Sequence, residues 1–171
     1  MMRAVQCSAW GELGNIALAD LPLPLPPGPG RVAVEVAAAG VNFADILMIN
    51  GKYQERPLPP FTPGLEVAGR VSAIGDGVTR VKPGDRVLAM LDHGGFAEHV
   101  VARESDVIPI PEAMGFAEAA GFAIAYGTSH GALVWRADVK PGELLLVLGA
   151  AGGVGLTAVE IGKALGARVI A

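Results

Sequence analysis

The segment Gly149-Ala150-Ala151-Gly152-Gly153-Val154-Gly155 has the composition of a backbone able to grip an anion. It follows the wholly apolar run Leu144–Leu148 and leads into a stretch read as a helix over Gly152–Leu165. A strand that enters a glycine-rich turn opening a helix is the context in which such a turn binds a dinucleotide. At Gly152 the missing Cβ would let the backbone approach a pyrophosphate, and at Gly155 it would let the helix pack closely on the strand. Free N–H groups at the helix start, together with the helix dipole, favour negative charge there. The spacing departs from strict G-x-G-x-x-G, because Ala150 takes the place of the first glycine; glycine recurs instead at 149, 152 and 155. The competing reading is a purely structural strand-to-helix turn. The residue that reads the ribose 2′ position is expected about 20 residues further on, past Ala171, so the sequence does not separate NADPH from NADH.

Two kinds of element must position this turn. Up to about residue 110 the chain reads as β. Arg3–Ser8, Ile16–Leu21, Arg31–Ala39, Glu66–Ile74, Arg86–Ala89 and Phe96–Ala102 are short β-rich runs. Pro and Gly turns such as Lys82-Pro83-Gly84-Asp85 separate them, in the manner of turns that need a fixed φ followed by a positive one. Strands this short and this regular predict a compact barrel, with one short helix over Asn42–Ile49. Beyond Pro111 the pattern changes. Gly115–Val134 is Ala-rich and free of proline and reads as a helix. Leu144–Leu148 reads as a strand buried on both faces of a parallel sheet, Gly166 as the cap of the helix before it, and Arg168–Ala171 as the next strand. The fold class is therefore α/β with a β-barrel: a barrel domain, then the start of a doubly wound parallel sheet. A β-α-β unit takes about 30 residues and such a sheet is built from two halves. The domain is thus expected to continue well past Ala171, in a longer protein of which this sequence is a part.

The blocks along the chain resemble the quinone oxidoreductase (zeta-crystallin-like) family of zinc-free medium-chain dehydrogenases/reductases. Gly142-Glu143-Leu144-Leu145-Leu146 followed by Ala150-Ala151-Gly152-Gly153-Val154-Gly155 and Lys163 is similar to the family signature, with Glu160 where Gln is usual. Gly40-Val41-Asn42-Phe43-Ala44-Asp45, Gly51-Lys52-Tyr53, Phe61–Gly69, Val81–Val87 and Gly94–Glu98 are similar to family blocks and come in the family's order. The resemblance implies a GroES-like substrate domain over 1–122 and the first part of a Rossmann domain over 123–171, with the active site in the cleft between them. It implies NADPH as cofactor, with NADH as the alternative, and a homodimer at full length. It places Asn42 near the nicotinamide, Thr128 in the cofactor cleft and Tyr53 as a proton donor in the related enoyl reductases. Each has a plainer reading. Asn42 could cap the helix that follows, Tyr53 could pack its ring in a loop, and Thr128 could bond back to its own helix. Leu47 stands where some quinone reductases carry a tyrosine in the substrate cleft, which leaves the acceptor open.

The metal ligands of the related alcohol dehydrogenases have no counterpart. The segment Gly40-Val41-Asn42 holds no Cys, and Leu65 stands in place of the His of a Gly-His-Glu segment. A catalytic zinc needs about three protein ligands; His93 and His99 lack a third partner and read as surface or strand residues, and His130 reads as a helix-face residue. Cys7 is the only cysteine and reads as strand packing. Without a Lewis acid an isolated carbonyl is not activated. The expected acceptor is therefore conjugated: a quinone or enone, or alternatively an enoyl thioester. A third reading is a non-catalytic, crystallin-like NADPH-binding protein. The net charge of −4 comes without any Lys/Arg cluster, which argues against nucleic-acid or anionic-membrane partners. The longest uncharged runs, Ala119–Trp135 and Leu144–Val159, fall short of the roughly 20 residues that cross a bilayer. No secretory signal is visible, and a cytoplasmic protein acting on a small molecule is expected.

Overall fold

Small aliphatic side chains, mostly valine, from the strands between residues 31 and 109 meet in a single core around Val32, Val34, Val67, Val87, Val100 and Val107. In the computed structural model, which describes residues 1–171, the chain divides into two compact units, Met1–Gly121 and Phe122–Ala171. The first unit opens with β1 (Met2–Cys7) and β2 (Ile16–Leu21), an antiparallel pair in which Met2 faces Leu21 and Cys7 faces Ile16. β3 (Arg31–Gly40), α1 (Phe43–Ile49), β4 (Glu66–Ile74), β5 (Arg86–Met90), β6 (His99–Arg103) and β7 (Val107–Pro109) follow. The last five strands make one antiparallel sheet in the order β6-β3-β4-β5-β7.

The run expected as one strand over Phe96–Ala102 is divided between two partners. The Phe96 carbonyl accepts from the Val5 N–H at 2.8 Å, and the Glu98 N–H donates to Arg3 at 3.1 Å, so this first part lies beside β1. The rest is β6, which pairs with β3. The sheet is thereby carried round onto the β1–β2 pair, as a barrel requires. β7 was not expected: it has only three residues and ends on Pro109, a length and composition suited to a sheet edge.

A single helix over Gly115–Val134 is not what forms. The segment is broken into α2 (Phe116–Ala120), α3 (Ala123–His130) and a π-helical stretch over Gly131–Arg136. The break falls at Gly121, whose N–H reaches back only to Glu118 at 3.3 Å. α2 buries Ala119 and Ala120 and belongs with β3, β4 and β5. α3 belongs to the second unit. Apolar periodicity alone does not reveal that two neighbouring stretches serve different cores. Arg86 secures the chain leading to α2: its guanidinium donates to the carbonyls of Glu112 and Met114, both at 2.5 Å, and lies 4.6 Å from the Phe116 ring centre.

The second unit continues with β8 (Leu144–Leu146), α4 (Gly153–Ala164) and β9 (Arg168–Ile170); β8 and β9 are parallel, with Leu145 beside Val169. This is the β-α-β unit anticipated. α4 ends at Leu165 with Gly166 in the left-handed region (φ 81°). The Gly166 N–H donates to Lys163 and the Ala167 N–H to Gly162, both at 3.0 Å, which is a Schellman closure. Two expectations need correction. β8 is shorter than Leu144–Leu148 and is not buried on both faces, since Leu144 and Leu146 are each largely exposed (63% and 62%). Burial on both faces needs a layer on each side, and within this chain α4 supplies one. The close helix–strand approach is set by Gly162, not Gly155: a Cβ at Gly162 would stand 2.5 Å from Leu145 Cδ2 and 3.2 Å from Val169 Cγ2. No helix in the structure is long and apolar enough to cross a membrane.

Candidate functional site

The glycine turn is built around Gly149, which takes φ 67°. Its carbonyl accepts the Gly152 N–H at 3.0 Å, closing the turn. Gly155 completes the closure from the other side, since a Cβ there would run into the Gly149 carbonyl oxygen and stand 2.8 Å from Ala150 Cα. α4 then starts at Gly153 with Gly152 as its N-cap and no side chain capping it. The N–H groups of Gly153, Val154 and Gly155 belong to the first turn, where a helix offers no internal acceptor, and no other group of the chain accepts them. The space above them is open: a Cβ at Gly153 would meet nothing within 4 Å, and one at Gly152 only the Gly149 oxygen at 3.4 Å. Ala150 is half-buried while Ala151 is exposed. Three unpaired donors with a clear approach, at the positive end of a twelve-residue helix, suit a diphosphate.

α3 lies against α4. Thr128 is exposed on it. The neighbouring Ser129 is buried, with its Oγ 2.7 Å from the carbonyl of Val154 in the first turn of α4. Ser129 Oγ also lies 2.7 Å from Thr157 Oγ1, which in turn reaches the Ala125 carbonyl at 3.1 Å. Sequence reading missed Ser129 and Thr157. Nothing local marked them out, since Ser129 stands beside Thr128 and His130 on α3 and Thr157 shares α4 with Glu160 and Lys163.

In the first unit, Asn42 occupies the N-cap position of α1. Its side chain, however, turns elsewhere: Nδ2 donates to Glu66 Oε1 at 2.9 Å. The capping acid is Asp45, whose Oδ2 accepts the Asn42 N–H at 2.7 Å, while Oδ1 accepts the buried Gly64 N–H at 3.1 Å. Burial pushes the Asp45 carboxyl above the usual carboxylate range, against the opposing pull of those two N–H groups. Asp45 and Glu66 are both 2% exposed. Two buried carboxylates thus fix the backbone and the amide of Asn42, and neither was singled out from the sequence.

Comparison with known proteins supplies the context. The alcohol dehydrogenase GroES-like domain family matches residues 28–112. A quinone oxidoreductase-like protein 2 homolog from Nematostella vectensis is 42% identical over 98% of this chain and 46% of its own length. Among solved structures, the quinone oxidoreductase from Thermus thermophilus, described together with its complex with NADPH, superposes with a TM-score of 0.86 at 39% identity, over 98% of this chain and 52% of that one. The chain belongs to the quinone oxidoreductase family of medium-chain dehydrogenases/reductases. The CurK enoyl reductase is also similar, with a TM-score of 0.91 at 31% identity, over 99% of this chain and 53% of that one. The chain spans about half the length of the curated relatives it matches.

In this quinone oxidoreductase family member the barrel unit is the GroES-like domain, and the β-α-β unit follows it, the order the sequence implied. Leu65 is a buried hydrocarbon with no lone pair to offer a metal. His93 lies edge-on to Phe61, with ring centres 6.4 Å apart, and His99 is on β6; no three His, Cys, Asp or Glu side chains converge. Tyr53 sits half-exposed in the bend after α1, and its hydroxyl has no partner in the chain.

The departure at Glu160 has a visible consequence. The Tyr126 hydroxyl donates to Glu160 Oε2, and Tyr126 stacks on Phe122 with ring centres 4.4 Å apart. The hydrogen bond to the carboxylate, with some desolvation and the negative charge, raises the Tyr126 phenol above its ordinary value. Glu160→Gln is therefore expected to bring Tyr126 back towards the ordinary phenol range. Ultraviolet absorbance titration of the two tyrosines reads this directly; a Tyr126 curve unchanged in the variant would show that Glu160 is not the cause.

Proposed function

We propose that the protein is a zinc-independent, NADPH-dependent oxidoreductase that reduces a quinone or another conjugated carbonyl compound. The observation that carries this reading is the turn at 149–155, with three unpaired N–H donors and an open approach at the head of α4. Gly149, Ala150, Ala151, Gly152, Gly153, Val154 and Gly155 would hold the diphosphate through backbone contacts, with Thr128 bordering the same site and Asn42 beside the nicotinamide. When bound, NADPH supplies the hydride; NADH is the alternative donor.

The residues' work is orientation and proton delivery. The Glu66 carboxylate holds Asn42 Nδ2, which fixes the amide and leaves Asn42 Oδ1 as an acceptor for an amide or hydroxyl. The acceptor molecule gains a hydride at one end of its conjugated system, the electron pair moves onto the carbonyl oxygen, and that oxygen takes a proton. Conjugation makes this possible without a metal, and the donor set is consistent with that, since neither Asn42 nor Leu65 is a zinc ligand. Tyr53, with its unpartnered hydroxyl, would deliver the proton where the product does not take it from water. The remaining parts of this reading are a cytoplasmic protein, a homodimer at full length, and a division at residues 122/123 into substrate and nucleotide domains.

The likeness to the CurK enoyl reductase supports a second reading, reduction of an enoyl thioester, in which Tyr53 matters more. One experiment separates the two. Purified full-length protein is assayed for NADPH oxidation with a benzoquinone and with a crotonyl thioester, each with Tyr53→Phe alongside. For the quinone reductase, turnover follows the quinone and the variant retains it within about threefold, because solvent protonates the product. For the enoyl reductase, the thioester turns over and the variant loses about a hundredfold, within the range of general acid catalysis. Zinc retained in the purified protein, or oxidation of simple alcohols, would overturn both.

A further inference from the structure

We infer that Ser129 and Thr157 are positioning residues for the cofactor: a buried pair of hydroxyls that sets the diphosphate-binding turn against the helix carrying Thr128. This rests on the reading of that turn given above. Both side chains are buried, at 1% and 6% exposure, Ser129 on α3 and Thr157 on α4. Their oxygens are 2.7 Å apart. Around them stand two backbone carbonyls. Val154 O is 2.7 Å from Ser129 Oγ and 3.0 Å from Thr157 Oγ1, and Ala125 O is 3.1 Å from Thr157 Oγ1.

Each hydroxyl has one proton, and one of the two protons must lie between the oxygens. Only two arrangements fit. Either Ser129 donates to Thr157 and Thr157 donates to a carbonyl, or Thr157 donates to Ser129 and Ser129 donates to Val154. In both, the pair acts as one polarised chain of hydrogen bonds ending on a peptide group beside the site. Val154 is the second residue of α4, and its own N–H is one of the three unpaired donors of the turn. Ala125 lies one helical turn before Ser129 and next to Thr128 in space along α3. The network therefore fixes the orientation of the first turn of α4 relative to α3 while leaving its N–H groups free. A cap from a Ser, Thr or Asp side chain would have held the same turn but occupied those donors; Gly152 offers none. Small misplacements of binding groups are costly, because orientation is what a preformed site contributes.

The test uses full-length protein with Thr157→Val, which keeps the shape and removes the hydroxyl, Ser129→Ala, the double variant, and Thr157→Ser. NADPH affinity is read by the quenching of protein fluorescence, fold by Tm, and turnover by the split between the KM for NADPH and the KM for quinone. Thr157→Val and Ser129→Ala are each expected to weaken NADPH binding about tenfold. The double variant should be little weaker than either alone, since each removes the same chain. Thr157→Ser should restore affinity to within about twofold, and the KM for quinone should stay within about twofold throughout. Variants that lose Tm but bind NADPH as the natural protein does would overturn the inference and leave the functional reading intact. A natural protein that does not bind NADPH would overturn both. Should Thr157→Val fail to fold, Thr157→Ala and Ser129→Ala carry the same comparison.

Discussion

Gly155→Ala is expected to lower affinity for NADPH by about ten- to a hundredfold and to leave the first unit folded. The reason is local. A methyl at residue 155 would overlap the Gly149 carbonyl oxygen and press on Ala150 Cα and Gly149 C. All three are backbone atoms, so no rotamer change relieves the contact and the turn itself must open. That movement pulls on the bond from the Gly152 N–H to the same carbonyl and swings the N–H groups of residues 153–155 away from a common focus. Overpacking of this kind costs about 1–3 kcal/mol, and each 1.4 kcal/mol that falls on binding is about tenfold in Kd. Gly153→Ala is the control. A Cβ there meets nothing in the chain, and alanine is a better helix former than glycine by about 1 kcal/mol. Gly153→Ala should keep or raise Tm, and any affinity it loses reports contact with the ligand itself. Fluorescence titration with NADPH, alongside thermal unfolding, reads both variants. Gly155→Ala binding as tightly as the natural protein, with the same Tm, would remove the turn from the proposed site.

The contrast between these glycines shows what was legible in the sequence. That residues 149–155 form a strand-to-helix turn could be read from glycine spacing and from the apolar run before it. Which glycine does what could not, because close approach depends on atoms distant along the chain: Gly155 on Gly149, and Gly162 on Leu145 and Val169. The strands of the first unit were readable for a related reason. β3 and β4 are short runs rich in Val and Ala, bounded by Pro and Gly turns, and such composition with such punctuation is a local signal. The path of Phe96–Glu98 from β3 to β1 is a matter of pairing, and nothing local encodes it. Helices carried the weakest signal: Ala-rich continuity across Gly121 hid the passage from one core to another. At the candidate site the partly exposed groups, Asn42 and Tyr53, stood in recognisable blocks, whereas the buried groups that fix Asn42 did not. Asp45 and Glu66 look like surface acids until folding brings Gly64 and Asn42 onto them.

Loss of Asp45 should cost the first unit heavily. Its two oxygens accept two backbone N–H groups from different segments: Asn42 at the start of α1, and Gly64 in the loop that leads to Glu66. Asp45→Ala leaves the buried Gly64 N–H and the part-buried Asn42 N–H without acceptors and removes the helix cap. An unpaired buried donor costs about 1–3 kcal/mol and a lost cap about 1 kcal/mol, so about 3 kcal/mol is expected. For a chain of this size that is a fall in Tm of roughly 10 °C. Asp45→Asn should fall between, since its amide offers one acceptor and turns an NH₂ towards the other donor. The pH dependence follows from the raised carboxyl. The folded protein holds this proton more tightly than the unfolded chain does. The stabilisation linked to it is complete below the unfolded value, about 3.9, and is lost as pH rises through the folded one. The advantage of the natural protein over Asp45→Asn should therefore shrink as pH rises through the weakly acidic range. Denaturant midpoints across that range, with the Asp45 carboxyl carbon followed by NMR, measure both quantities. A carboxyl titrating below the ordinary value, with an advantage that grows with pH, would mean that the two N–H groups outweigh burial.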